Sequence, residues 1–444
     1  MGELRLDAIR DCLEGAIPAI MATADPDGTP NIAYLSQVQF VDRDHVALSY
    51  QFFNKTRKNI LANPQAQLLV VNPLTGGRYR LHLRYLRTET AGPLFEAMKA
   101  KLAGIASHTG MSGVFRLLGA DVFEVLGVHA EPGESLPPPP RRNLLAALRN
   151  CAAQLQDCVD FEQLLAETLA CLEAHLDIEL AMVLMLDPAG GKLYTVASRG
   201  YAVSGIGSEI ALGQGVIGVA ARERTPIRIG HMSSEYAYSR AIRESLEGCD
   251  GAEALEAEIP FPGLAESRSQ LAVPILACQK LLGVLFVESP QDLRFGYDDE
   301  DALVTLAAHF GMAMHHLQAL PETGDAVAEP PVAAPSGPPL LVRHYAENGS
   351  VFFGDDYLIK GVAGSILWTL LRDYVERRRT AFTNRELRLD ARIRLPDISD
   401  NLEARLLLLA RRLVERNAPV RIEKTGRGRF QLRVERPVEL LASA

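Results

Sequence analysis

A chain of 444 residues is too long for one ordinary core, and 48% hydrophobic with 23% charged residues is the balance of a folded protein of roughly two to four domains. No stretch reaches about 18 uninterrupted apolar residues, so no transmembrane helix is expected. The opening MGELRLDAIRDCLEG is acidic and helical in pattern, unlike a secretory signal, and the expected location is the cytoplasm.

Two proline-rich stretches, PGESLPPPPRR at 132–142 and PETGDAVAEPPVAAPSGPP at 321–339, suit neither helix nor central strand and read as semi-rigid linkers. They part the chain into blocks 1–131, 143–320 and 340–444. The formal charge of −9 is unevenly spread: residues 340–444 hold 20 Lys and Arg against 14 Asp and Glu, and the remainder is strongly acidic. A basic end on an acidic body points to a polyanion partner. The six cysteines, Cys12, Cys151, Cys158, Cys171, Cys249 and Cys278, show no C-x-x-C and no zinc spacing, and read as reduced thiols. Cys151 and Cys158 share a helical face, either as two small buried hydrophobes or as a redox pair.

The first block opens with a helix and continues as short strands and turns: AIPAIMATAD, the turn DPDG, TPNIAYLSQVQFVD as a second strand, and VALSYQFF as a third. Then comes FNKTRKNILANPQAQLLVV, a basic helix start running into another strand. This order resembles the split-barrel fold of the pyridoxamine-phosphate oxidase family. The resemblance implies that Thr56, Arg57 and Lys58 grip the phosphate of FMN, and a helix N-terminus with a hydroxyl and two cations is a ready anion site. A solvated helix start explains the same residues. The preceding strand, NIAYLSQVQF, lacks the Arg and Lys that flavin-binding members carry there. In RYRLHLR, Arg78, Arg80, His82 and Arg84 share one strand face, as a solvated surface or a cationic wall for phosphate or haem.

The second block begins with two amphipathic helices, NLLAALRNCAAQLQDCV and DFEQLLAETLACLEAHL. Strands IELAMVLMLD and KLYTVASRGY follow, then LGQGVIGVAARERTPIRI, the paired strands of LAVPIL and LLGVLFVES, and a closing helix. The succession resembles a GAF domain, marked by Gly213, Gly215 and Gly218. That implies a small-molecule site or a dimerising module. The cyclic-nucleotide signature is absent, as is the Cys-His pair of bilin-binding members. Segment 239–267 is long and acidic, suiting a ligand lid or a disordered insertion. No paired carboxylates, nucleophile elbow or phosphate loop emerges in either block.

In the third block, LLVRHYAENGSVFF and DYLIKG read as two strands before the helix GSILWTLLRDYVERRR. A later helix, NLEARLLLLARRLVERN, is expected to start at Asp400 with Glu403 three residues on. Leu402, Leu406, Leu409 and Leu413 form its buried stripe, and Arg405, Arg412 and Arg416 line up beside it. APVRIEK and RFQLRV alternate as strands around TGRG, so Lys424, Arg427 and Arg429 project from a hairpin. The order resembles the winged helix-turn-helix effector domain of response regulators, with Phe430 as the aromatic after the wing turn. The resemblance implies that Arg405 and Arg412 face the base edges of double-stranded DNA, while Lys424, Arg427 and Arg429 meet phosphates. A protein-binding winged helix fits the same pattern.

The expected fold class is multidomain α+β: a split β-barrel, a GAF α/β sandwich and a C-terminal winged helix. The leading functional expectation is a one-component transcriptional regulator that senses a small ligand or redox cofactor, acts as a homodimer and has no membrane partner. The alternative is a flavin-dependent oxidoreductase regulated by its GAF domain.

Overall fold

The computed structural model describes residues 4–13, 17–35, 37–50, 55–108, 117–140, 142–189, 191–230, 259–264, 266–319, 335–393, 395 and 401–443. After a 3₁₀ segment at Leu6–Leu13 come β1 (Ala19–Ala24), β2 (Pro30–Leu35), β3 (Val38–Phe40), β4 (His45–Tyr50), α1 (Lys55–Ala62), β5 (Gln65–Val71), β6 (Arg78–Glu89), α2 (Pro93–His108) and β7 (Gly119–Ala130). The strands make one seven-stranded antiparallel sheet in the order β2-β1-β5-β6-β7-β4-β3. TPNIAYLSQVQFVD, expected as a single strand, is two, and they lie at opposite edges of the sheet. Leu35 and Val38 are three steps apart, so their Cα atoms are within about 11 Å. A sheet whose outer strands are joined so tightly has to curl, and the result is a half-barrel. Its inside is filled by Leu68, Val70, Leu81 and Leu83 from alternate strand positions, packed with Leu6, Ile9 and Leu13 of the 3₁₀ segment.

The middle of the chain continues with α3 (Leu144–Gln156), α4 (Phe161–Leu176), β8 (Leu180–Asp187), β9 (Lys192–Arg199), β10 (Glu209–Ala211), α5 (Gly215–Glu223), β11 (Ile227–Ile229), β12 (Ser269–Ala277), β13 (Lys280–Ser289) and α6 (Tyr297–Ala319). The sheet order is β10-β9-β8-β13-β12-β11. Both faces of β8 are apolar and serve different layers: Ala181, Val183 and Met185 join the core of α3, α4 and α6, whereas Met182 and Leu184 join the core under α5. The start of α6 is clamped by Asp299, 7% exposed, which accepts from Arg142 and Arg294, and both arginines also donate to the Leu176 carbonyl at the end of α4. Cys151, Cys158 and Cys171 are buried free thiols, and burial pushes Cys158 up to about 11.

The last part holds β14 (Leu340–Tyr345), β15 (Ser350–Phe353), β16 (Asp356–Ile359), α7 (Gly361–Arg377), β17 (Ala381–Thr383), α8 (Asn384–Leu389), α9 (Leu402–Glu415), β18 (Val420–Gly426), β19 (Arg429–Val434) and β20 (Val438–Ser443). LLVRHYAENGSVFF, expected as one strand, folds back on itself as β14 and β15. β20, beyond the hairpin, returns to pair in parallel with β14 and completes a sheet ordered β16-β15-β14-β20. The hairpin β18–β19 recruits β17 into a second sheet, and Gly428 takes the positive φ (65°) that its turn requires. Helix α8 starts on a reciprocal capping box between Thr383 and Glu386. Helix α9 is capped by Asn401, whose side chain accepts from the Ala404 amide at 3.1 Å. That is one residue later than expected, and Asp400 lies outside the described residues. The predicted stripe of Leu402, Leu406, Leu409 and Leu413 is buried.

Gly218 is packed so that a Cβ would sit 2.3 Å from the Ala211 carbonyl oxygen and 3.0 Å from the Gly213 amide nitrogen, both backbone atoms that cannot swing aside. Gly218→Ala should therefore destabilise the middle domain by about 1–3 kcal/mol, the usual size of an overpacking penalty. The check is its thermal transition, and an unchanged or raised midpoint would refute the close-packing argument.

Candidate functional site

Helix α9 is apolar on two sides, and the second side decides what its arginines do. One face, with Leu402, Leu409 and Leu413, packs on α7 and β18 of its own unit. The other lies on β9 and α4 of the middle domain. Arg405, only 4% exposed, donates from Nη2 to Asp187 Oδ1 at 3.1 Å, and its guanidinium carbon stands 5.3 Å from the Tyr194 ring centroid. Arg411 donates to the Val196 carbonyl at 2.8 Å, and burial pushes its pKa down. Arg412, 7% exposed, stays within its own unit, donating to the Leu358 carbonyl at 3.1 Å and to Glu415 at 3.2 Å. Arg416 caps the helix end and is exposed.

The hairpin is held in the same way. Lys424 reaches Asp160 Oδ2, in the residue that caps α4, at 2.6 Å. Burial raises the Asp160 carboxyl, but the Gln163 amide and Lys424 outweigh it and the net shift is downward. Arg427 donates to the Leu317 carbonyl in the last turn of α6 at 2.6 Å, where the helix dipole favours a cation. Two further pairs cross the same boundary, Ser204 with Glu415 and Lys360 with Glu209.

The expectation that Arg405 and Arg412 stand on an open face is corrected: both are buried. Arg405 is spent on the middle domain and Arg412 on its own fold. Periodicity places both beside the leucine stripe but cannot reveal that a second domain covers that flank. Of the six basic residues singled out, Arg416 is exposed at the helix end and Lys424 is exposed beside Asp160. The Arg429 side chain has no hydrogen bond or ion pair among the described residues.

In the half-barrel, Thr56 is 7% exposed and accepts from Asn31 Nδ2 at 2.9 Å. Arg57 donates to Asp121 Oδ1 at 2.5 Å and to Thr88 Oγ1 at 2.9 Å, and lies 4.0 Å over the Tyr50 ring. Burial opposes its charge, but Asp121 outweighs burial and the pKa is raised. Only Lys58 is exposed. The Thr56 hydroxyl and the Arg57 guanidinium thus have internal partners, and a phosphate at this helix start would share them with Asn31, Thr88 and Asp121. On the strand face of RYRLHLR, Arg78 donates to the Pro132 carbonyl, Arg80 pairs with Glu131, Arg84 pairs with Glu124, and His82 packs edge-on against His129 at 5.1 Å.

One polar cluster escaped the sequence reading. Glu288 on β13 is 3% exposed, accepts from the Leu264 amide at 3.0 Å, and is pushed up by burial. The phenol of Tyr201 is raised by burial and by the Glu288 charge. The available signal was an acidic residue inside the apolar run LLGVLFVES. The cluster anchors the described end of segment 239–267 to the sheet; residues 239–258 and 265 of that segment, and Cys249, lie outside the described residues. No group of three or more His, Cys, Asp or Glu residues among the described residues is arranged to hold a metal ion. No helix among them is long and apolar enough to cross a membrane.

Residues 6–127 match the family model described as pyridoxamine 5'-phosphate oxidase, and residues 158–315 match that of the GAF domain. An uncharacterized protein of Methanocaldococcus jannaschii is 41% identical over 54 residues, which is 12% of this chain; the match spans 36% of that relative's length. Among solved structures, the GAF domain of an Acinetobacter phosphoenolpyruvate-protein phosphotransferase is similar at 21% identity over 41% of this chain and 98% of its own, with a TM-score of 0.32. An FMN-binding protein from Syntrophomonas wolfei is similar at 18% identity over 29% and 86%, with a TM-score of 0.25. The free methionine-R-sulfoxide reductase of Neisseria meningitidis is similar at 19% identity over 41% and 96%, with a TM-score of 0.31. The chain thus joins an N-terminal domain of pyridoxamine 5'-phosphate oxidase type to a GAF domain, followed by a basic C-terminal unit.

Proposed function

We propose that the protein is a ligand-responsive regulator whose C-terminal unit is a winged helix that binds double-stranded DNA and is held closed on the GAF domain. The observation that carries this reading is the placement of the basic residues. The helix and hairpin that concentrate them lie against the ligand-binding type of domain, and Arg405, Lys424 and Arg427 are bonded to it. A signal that loosens the GAF surface would free those three cations together, whereas Arg412 stays committed to its own fold. The DNA-reading set is accordingly narrowed to Arg405 and Arg416 on the helix, with Lys424, Arg427 and Arg429 on phosphates.

Reversing the two carboxylates that hold this face, Asp160→Lys with Asp187→Lys, should open the boundary and raise the affinity of the full chain for DNA by about tenfold, a typical coupling between sites. Binding should weaken steeply with salt, and in the opened variant Arg429→Ala should lower the salt slope by about one. A gel-shift titration of wild type and variant on genomic fragments checks it. If neither binds at low salt, the DNA reading fails and a protein-binding unit replaces it.

A homodimer is supported by the edge strand β2, which leaves Ile32 70% and Tyr34 76% exposed. Light scattering should give twice the chain mass, and Ile32→Asp with Tyr34→Asp should halve it. A monomeric wild type would end that part of the proposal.

The flavin-dependent oxidoreductase is the second reading, favoured by the match of residues 6–127 to the oxidase family. It requires Arg57 to leave Asp121. A titration of the purified chain with FMN decides it: flavin that binds at micromolar concentration and is lost in the Arg57→Ala, Lys58→Ala double variant supports it, and no flavin affinity removes it.

A further inference from the structure

The boundary between the GAF domain and the C-terminal unit is not closed along its whole length. It leaves a half-open cavity of about 510 Å³, within the range of small-molecule sites. From the C-terminal unit, α9 contributes Leu407 and Val414, and the hairpin contributes Ile422 and Phe430. The GAF domain faces them with Phe161, the first residue of α4, and Ile206. Val414 is 55% exposed, so an apolar side chain on the helix is left without cover where the cavity lies.

The charges at the cavity are unevenly answered. The Arg429 side chain lines it with no hydrogen bond or ion pair among the described residues. Arg411 lines it with one hydrogen bond, to the uncharged Val196 carbonyl; burial disfavours its charge and outweighs the attraction of Glu162 and Glu415. Lys424 is matched by Asp160. Three carboxylates also line the cavity. Glu415 is already engaged with Arg412 and Ser204. Glu403 is pushed toward its neutral form by burial and accepts from Asn384. Glu162 lies on α4 and favours the charge of Arg411. A negative group brought in by a ligand therefore meets cations that the protein leaves incompletely paired, next to apolar walls on both sides.

We propose that this interdomain cavity binds a small organic acid with an aromatic or branched apolar body and one anionic group, the anion meeting Arg429 and Arg411 and the body lying between Phe161, Ile206, Leu407 and Phe430. Because the walls come from both domains, the site exists only while the two are docked. Such a ligand stabilises the docked state by mass action. Resting on the regulator reading for this consequence, it lowers DNA affinity and does not raise it.

The probe is 1-anilinonaphthalene-8-sulfonate, an aryl sulfonate of the stated class, titrated into the full chain and followed by its fluorescence. Saturable binding of one probe per chain is expected. Leu407→Trp, which fills the cavity, should abolish it, and Arg429→Gln should weaken it about tenfold, the size of one lost charge-assisted contact. Val414→Trp fills the same space from an exposed position and serves if Leu407→Trp does not fold. Binding of equal strength in the wild type, Arg429→Gln and a folded cavity-filling variant overturns the proposal, as does the absence of saturable binding. Displacement of the probe by aryl carboxylates supports the class. Probe binding that responds to the variants but leaves DNA binding untouched upholds the site and counts against the regulator reading, so the two failures are distinguishable.

Discussion

The structure depends on how α9 disposes of a buried arginine. A helix that buries leucines on one side and is covered on a second cannot leave a guanidinium there unanswered, because an unpaired buried charge costs several kcal/mol. Arg405 is answered by a carboxylate of the GAF sheet and by the Tyr194 ring, on a different domain. Its side chain is 4% exposed and that of Asp187 is 24% exposed. The pair is thus buried enough to hold the helix in place and open enough at one end to be separated without stranding two charges in a dry interior. Lys424 with Asp160 sits further out and contributes mainly register, since exposed ion pairs contribute little.

The same domain is gripped from the other side. Arg10 of the 3₁₀ segment lies between the rings of Phe40 and Tyr297, at 5.0 and 4.2 Å, and pairs with Asp301 on α6. The far end of α6 presents the Leu317 carbonyl to Arg427 of the hairpin. One 23-residue helix, about 35 Å long, is therefore in contact with the half-barrel at its start and with the basic hairpin at its end. The clamp of Arg142 and Arg294 on Asp299 anchors that helix to the end of α4, whose first turn borders the cavity. Any change in the half-barrel that shifts the start of α6 acts on an element that also touches the C-terminal unit.

Arg57 illustrates the other constraint. Its neighbours Thr88 and Asp121 come from β6 and β7, strands that the curl of the sheet brings beneath α1. Asp121 is 6% exposed and carries a charge that Arg57 offsets. The pair therefore keeps the helix start on the barrel, and a phosphate would have to compete with a carboxylate already in place.

Local and periodic features were legible in the amino-acid sequence, because they depend on neighbours a few residues apart. These include the leucine stripe of α9, the hairpin with its Gly428 turn, the glycines around α5 and the alternation of RYRLHLR, whose Leu81 and Leu83 are buried. Three features were decided only by tertiary structure. The halves of TPNIAYLSQVQFVD lie on opposite edges of a sheet because closure is a property of all seven strands. Arg57 met Asp121 across 64 positions, and Arg405 met Asp187 across 218. A basic residue beside an apolar stripe looks the same in sequence whether its partner is a phosphate, water or a carboxylate on another domain. Charge sets what such a residue requires, and the packing of distant elements sets what it finds.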